Sequence, residues 1–508
     1  MRHRLRFVAV AALLASSLRA AEPFPADLDR YIENARREWN VPGLAIAIVQ
    51  NDSVVVAKGY GVRKLGESAP VDEHTRFDIA SLTKSFTAAA AGVLVDGGTV
   101  RWDDKIRDRL PSVVFADPYI DANATLRDVL SHRVAVVPAN AMWYFTRYDT
   151  AEVLRRVRFL EPQGQFRADM VYWNVGYLIA GEFLAKASGT SWVDLVRSRI
   201  LEPAGMREST AGEVLGQSGN VASPHIVIDG VQHPVVPHLT INVAPAGAPG
   251  GIISTASDMA RWLRVQLNDG EIDGKRIVSK AALDTMHSPQ VIIQTTAAMR
   301  AARNVEHFAT YGFGWNIMDY RGEPMFWHSG NADGMPCYMA ILPRKKLGVV
   351  VMINTWAAPL LHGALAARIL DHYLGIPSPP DTSATALTAQ RRADARDAEE
   401  QKKLEAQRIR DTKPSRPTAD YEGAYSDRVI GDIHIRRDGE TLLLQVANGE
   451  IGTLRHWHYD TFEVEWRDPF YRAIYETFVT FTLGVSGKPE RLRMTLNRDV
   501  LDAVRSNQ

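Results

Sequence analysis

"TRFDIASLTKSFTAAAAGVLVDGG", residues 75–98, is the stretch on which the fold turns. The Ala- and Leu-rich run from Ser81 to Asp96, stopped by Gly97-Gly98, has the composition and the end signal of a helix. Ser81 and Lys84 stand in its first turn, and Ser81 is the only Ser of the sequence with a Lys three residues later. Positions i and i+3 share a helical face, so the amine can reach the hydroxyl. Two readings compete: an N-cap beside a solvated charge, or a nucleophile beside its base. A serine hydroxyl attacks only after a base takes its proton. A lysine serves as that base only where desolvation or a nearby cation lowers its pKa. Backbone N–H groups at a helix N-terminus favour the negative charge that then develops.

Two further segments carry chemistry. In "VYWNVGYLIAG", residues 171–181, Tyr172 and Asn174 precede a helix. The phenol could pass protons, and the amide could hold a substrate carbonyl or orient Lys84; a core Tyr and an Asn N-cap are the plainer alternatives. In "FWHSGNADG", residues 326–334, His328 leads into a strand with Ser329, Gly330 and Asn331 as the substrate-binding and oxyanion stretch. His328 could donate to a substrate carboxylate or help protonate a leaving group. Gly330 admits close backbone approach, and the Asn331 N–H could complete an oxyanion hole with that of Ser81. Each motif is weak alone, since a lone His at a strand edge is usually structural. Their order and joint presence are specific.

Outward from these motifs, "GLAIAIVQ" and "SVVVAKGYGV" read as strands joined at Asn51-Asp52. The stretch 98–320 reads as mostly helix and loop, with helical patterns near 150–158, 174–188 and 257–268. Beyond it, "GNADGMPCYMAILPRKKLGVVVMINT" returns to β around a turn at Pro343–Gly348, and "LLHGALAARILDHYLG" is an amphipathic helix. Strands at both ends with helices between them predict an α+β fold: one antiparallel sheet flanked by helices, beside an all-helical region. "IPSPPDTSATA" opens a linker, and the charge-dense run 390–413 predicts a solvated helix held by i,i+4 pairs. From Tyr421 onward, short strands with turns at Asp438-Gly439, Asn448-Gly449 and Ser486-Gly487 predict a small all-β barrel. The expected divisions are 1–20, 21–376, 377–417 and 418–508.

With 508 residues the chain can bury a large core. Lys+Arg and Asp+Glu both number 59, a balance that argues against nucleic acid as a partner. "MRHRLR", "FVAVAALLASSL" and "LRAAEPFP" follow the order of a secretory signal peptide, with cleavage after Ala20, so an exported, periplasmic or secreted protein is expected. The apolar run is too short to span a bilayer, and no later stretch reaches that length. Cys337 is the single cysteine and lies in a strand-like run, where a buried structural thiol is expected. His and acidic residues show no metal-ligand spacing, so neither metal nor organic cofactor is implied.

The three motifs, in this order, resemble those of the serine β-lactamase and penicillin-binding protein superfamily, in its class C β-lactamase, D-aminopeptidase and esterase branch. The likeness runs from about residue 27 to about 375 and includes "DVLSH", "ILEPAGM", "GGIISTASDMARWL" and "LPRKKLGVVVMINT". It implies that Ser81 is acylated, that Lys84 and Tyr172 share the base and acid duties, that Asn174 binds substrate or supports the site, and that His328 stands at the third motif. The C-terminal part, with "YEGAYSDRVIGDIHIRRDGETLLLQ", is similar to the lipocalin-like barrel of some family peptidases. Class C β-lactamases carry Lys where this chain has His328, which points toward peptide-like amides, D-residue peptides among them, or small esters. A β-lactamase, a penicillin-sensing binding protein and an acyltransferase are the alternatives on the same nucleophile. "SHRVAVVPANAMWYF" departs from the family's usual Ser-His-Thr-Ser-Gly, so Met142, Trp143 and Tyr144 are candidates for a reshaped rim or for the core. "APAGAPGGIIST" is longer than the usual Gly-rich turn, which puts substrate contacts from it in question. A small-molecule or short-peptide substrate and a possible homo-oligomer complete the expectations.

Overall fold

The computed structural model describes residues 24–213, 215–216, 218–236, 243–295 and 307–506, with the side chains of 243–246 left aside. The expected leader lies outside the described residues. The strands Gly43–Gln50 and Ser53–Gly61 form a hairpin in which Asn51 and Asp52 both take positive φ (49° and 63°). That two-residue turn matches the right-handed twist of its strands. The hairpin's partner comes from far along the chain: Gly43–Gln50 pairs antiparallel with Leu347–Ile353. The sheet continues through Met335–Leu342, Glu323–Ala332, Asn316–Tyr320 and Ala309–Tyr311 to Val291–Ile292, eight antiparallel strands in all.

Period-two alternation gives this sheet two buried faces. Leu44, Ile46 and Ile48 face a core shared with the helices Ala26–Glu38 and Leu361–Tyr373. Ala45, Ala47 and Val49 face the larger core, built with the helices Thr83–Asp96, Asn174–Ser188 and Ala256–Leu267. Small residues on that face let helices approach closely, and Phe86 stacks on Trp262 with centroids 4.0 Å apart. Met142 belongs to this core, and the half-buried Trp143 packs against it.

Residues 418–508 contain the closed barrel. Its eight strands run in sequence order from Gly423–Asp427 to Asp499–Arg505 and close where Tyr425 meets Arg505. The glycines of all three expected turns, Gly439, Gly449 and Gly487, take positive φ. Ala141, Phe145 and Ile226 of the sheet domain are buried in the barrel's own core, and Phe145 lies 5.1 Å from the Tyr471 ring.

The charged connector is the helix Thr382–Gln407. Its start docks on the sheet domain: Trp39 Nε1–H donates to Ser383 Oγ at 3.0 Å, and Thr382 Oγ1 to the Ala364 carbonyl at 2.7 Å. The expected ladder of i,i+4 ion pairs is not what holds it. Among the described residues its ion pairs are Arg396–Asp397, Arg408–Glu405 and Arg410–Glu405, none of them i,i+4, beside one i,i+4 hydrogen bond from Gln390 to Asp394. Gln390, Asp394 and Asp397 instead border a cleft between the sheet domain and the barrel. No helix of the described residues is long and apolar enough to cross a membrane.

Candidate active site

Ser81 sits not inside the α-helix but in a 3-10 turn, Ala80–Leu82, that leads into it. Ala80 has φ 44°, a left-handed conformation uncommon outside glycine. It is held by Asp78, whose carboxylate accepts the Ala80 N–H at 2.7 Å. Burial pushes the Asp78 carboxyl up to about 7, against the opposing pull of that N–H. Beneath the turn the Cys337 thiol donates to the Ile79 carbonyl at 3.1 Å, a structural use of the single cysteine.

Lys84 points to the same spot and is fully buried. Its Nζ lies 3.0 Å from Ser81 Oγ, 2.8 Å from Asn174 Oδ1 and 2.7 Å from the Pro249 carbonyl. The last of these belongs to the end of the helix Val243–Gly250, where carbonyls lack intrahelical partners. Thr87 Oγ1 donates to the neighbouring Ala248 carbonyl at 2.8 Å. Thus the long Gly-rich segment contributes an acceptor to Lys84. Desolvation holds the Lys84 pKa well below its ordinary value. Asn174 Oδ1 and the carbonyl can only accept, so they take two N–H bonds of the amine. A neutral amine so placed keeps its lone pair for the third contact, the Ser81 hydroxyl.

Tyr172 brings its ring 4.9 Å from Lys84 Nζ, and its hydroxyl is hydrogen-bonded with Ser81. Desolvation raises the phenol pKa while the Ser81 bond opposes it, so the phenol stays protonated at neutral pH. Tyr172 as a whole is 36 % exposed, and so borders solvent at the edge of the centre. Asn174 turns its Nδ2–H to Asn140 Oδ1 at 3.2 Å.

His328 departs from expectation. It is buried, with Nδ1 2.7 Å from the Ser329 carbonyl and Nε2 3.1 Å from the Tyr311 hydroxyl. The carbonyl can only accept, so Nδ1 carries the hydrogen and Nε2 accepts from Tyr311. Burial pushes its pKa down to about 3, and a proton on Lys84 would oppose its charging further. Both nitrogens are engaged and the ring is neutral, so His328 supports the aromatic floor rather than handing a proton to substrate. Acylation should therefore show no limb near pH 6.5. A pH–rate profile with such a limb, lost in His328→Gln, would contradict this assignment.

The strand Glu323–Ala332 outruns its neighbour: Asn316–Tyr320 pairs only with 323–327. Residues 328–332 keep Met335–Leu342 on one side and pack against the nucleophile turn. A Cβ on Gly330 would come within 2.5 Å of Cys337 Sγ and 2.7 Å of the Ile79 carbonyl. Gly330→Ala is expected to displace the turn, cutting activity about 100-fold, as a 1 Å misplacement can. The outcome is read by steady-state kinetics beside a thermal melt. Ser329 is half-buried, and Asn331 is exposed and borders the cleft with Asn140. The cleft has a volume of about 1120 Å³ and takes its far wall from Ile474, Tyr475 and Glu476 of the barrel. Tyr144 bonds to Asp333, and its ring lies near that of Tyr475.

Sequence reasoning missed several contributors. His132, in "DVLSH", has its ring centroid 4.3 Å from that of Tyr172, tilted by 38°, and accepts the Trp173 N–H on Nδ1 at 3.0 Å. Tyr311 and Tyr177 complete the floor. Asn140 and the Pro249 carbonyl had no local signal, because a single Asn and a backbone group carry none.

Residues 28–374 match the family model described as Beta-lactamase, and residues 407–505 match a domain of unknown function, DUF3471. The chain is 28 % identical to penicillin-binding protein 4 of Amycolatopsis lactamdurans, over 68 % of this chain and 89 % of that one. It is 25 % identical to the D-alanyl-D-alanine-carboxypeptidase/endopeptidase AmpH of Escherichia coli, over 70 % and 92 %. It is 28 % identical to the unguisins hydrolase ungD of Aspergillus violaceofuscus, over 70 % of this chain but only 66 % of that protein's length. An octameric penicillin-binding protein homologue from Pyrococcus abyssi shares the fold with a TM-score of 0.59 at 22 % identity, over 94 % of this chain and 99 % of that one. The expected α+β sheet domain and closed barrel are both present, and through residues 28–374 the chain belongs to the beta-lactamase family.

Proposed function

We propose that the protein is an exported serine hydrolase that opens peptide-like amide bonds, D-residue peptides among them, through an acyl-enzyme on Ser81. The observation that carries the reading is the buried Lys84 amine, with two hydrogens committed to acceptors and Ser81 Oγ as its third contact. In the first step Lys84 takes the Ser81 proton as Oγ bonds to the substrate carbonyl carbon. The N–H groups of Ser81 and Asn331 receive the oxyanion. The Tyr172 phenol, protonated and beside Ser81, gives its proton to the leaving nitrogen as the C–N bond breaks, and Lys84 restores it. Water then attacks the ester by the same path reversed.

Asn140 and Asn331 open onto a cleft of about 1120 Å³ walled by both domains, which Ser81 itself does not line; a peptide long enough to extend from Ser81 into it suits this arrangement better than a small ester. The name of one relative, a D-alanyl-D-alanine-carboxypeptidase/endopeptidase, favours the same class, and that of another, a hydrolase, favours water as the acceptor. The test is a panel of D- and L-terminated peptides, p-nitrophenyl esters and a chromogenic cephalosporin. The peptides are expected to give the highest kcat/KM. Faster turnover of the cephalosporin would make the protein a β-lactamase instead; acylation without turnover would make it a penicillin-binding sensor. Preference for an added amine or alcohol over water would make it an acyltransferase.

A further inference from the structure

The last hairpin of the barrel reaches the catalytic segment. Its strands Pro489–Leu496 and Asp499–Arg505 are joined by Asn497 and Arg498, both at positive φ, and these two residues border the cleft. Asp499 opens the returning strand. Its carboxylate accepts the Ala141 N–H at 2.6 Å and lies close to the backbone N–H groups of Ala139 and Asn140. Asn140 is the residue that receives Asn174 Nδ2–H, and Asn174 Oδ1 holds the Lys84 amine.

The segment has little of its own to fix it. Ala139 is left-handed at φ 48°, and the helix Ala141–Tyr144 is a single turn. A non-glycine residue in that conformation persists only where its surroundings over-determine it. Here the barrel supplies them at both ends: the Asn448 N–H donates to the Phe145 carbonyl at 2.9 Å, and Phe145 packs between Tyr471 and Tyr475.

We infer that Asp499 is a positioning residue: by holding the Ala141 N–H it sets the adjoining Asn140, and through Asn174 the Lys84 amine, so that the barrel is a working part of the hydrolytic centre. This rests on the Ser81–Lys84 reading above. The test uses the full chain and the rate at which a fluorophosphonate probe labels Ser81, resolved into the inactivation constant kinact and the apparent affinity KI. Asp499→Ala is expected to lower kinact about tenfold, in line with the cost of misplacing a reacting group, and to leave KI within about twofold. Asn140→Ala should do the same, and the double variant should be no slower than the worse single one, because one chain of contacts is being cut twice. Asp499→Asn keeps a carbonyl oxygen for the amides and should retain at least about half of kinact.

Multiplying losses in the double variant would overturn the inference. So would an unchanged kinact in Asp499→Ala, or Asp499→Asn as slow as Asp499→Ala with its melt intact. If Asp499→Ala loses its native melt, the other two singles decide: Asn140→Ala labelled at the parent rate sinks the inference, and slow Asn140→Ala beside fast Asp499→Asn sustains it. Failure of the parent to be labelled at all would instead refute the Ser81 reading.

Discussion

Replacing Ser81 by Ala is expected to abolish labelling by a fluorophosphonate or penicillin probe and to lower kcat/KM on any hydrolysed substrate by about 10⁴-fold or more, as loss of a serine nucleophile does elsewhere. The side chain is small and half-buried, so the fold should survive; an unchanged melting curve beside the lost label is the complete result. Ser81→Ala that labels as well as the parent would place the nucleophile elsewhere and remove the basis of the mechanism. Labelling followed by mass mapping of the adduct distinguishes the two outcomes directly.

The second large effect is expected at Lys84. Lys84→Met keeps the length of the side chain and removes the base, and acylation should fall by about 10²- to 10⁴-fold, the usual contribution of a positioned general base. The pH dependence has a definite sign. Burial lowers the pKa of Lys84, so the amine that accepts the Ser81 proton forms at a pH well below its ordinary value. The acylation rate should rise with pH through the folded pKa and level off above it. Stability follows from the same shift. Between the folded pKa and about 10.4, the unfolded chain holds a proton on this lysine that the folded chain lacks, so stability rises with pH by about 1.4 kcal/mol per unit from this group. Below the folded pKa both states are protonated and the cost of burying the charge is fully present; above about 10.4 it is gone. Denaturant titrations of parent and Lys84→Met at two pH values in that window should differ in slope by this amount. Equal slopes would mean that Lys84 is charged in the folded protein and is not the base.

Much of the fold was legible locally. The Asn51-Asp52 hairpin, the Gly97-Gly98 helix stop and the barrel turns at Gly439, Gly449 and Gly487 are backbone signals, and the structure uses each of them. The alternation in "GLAIAIVQ" marks a strand, and its large and small residues sort to the two faces of the sheet. The connector helix was legible as a helix and not as to what held it. Its charges look like a self-paired ladder in sequence, whereas docking of Trp39 onto Ser383 and exposure of Asp394 and Asp397 to the cleft depend on partners far along the chain.

The site divides in the same way. Ser81 and Lys84 lie three residues apart on one turn, so their meeting is a local consequence of helical geometry, and the sequence alone determined it. With Tyr172 and Asn174 it also determined which side chains to look for at Lys84. The direction of the chemistry was decided only in three dimensions. The Lys84 amine is suited to act as a base because the enclosing core desolvates it and Asn174 and the Pro249 carbonyl occupy its other hydrogens. His328 is not a free proton donor because Tyr311 and its own neighbouring carbonyl take both nitrogens. Asn140 entered the centre through the barrel's Asp499. A hydrogen bond between distant segments leaves no period, spacing or composition in the chain, so such pairings are settled by packing alone.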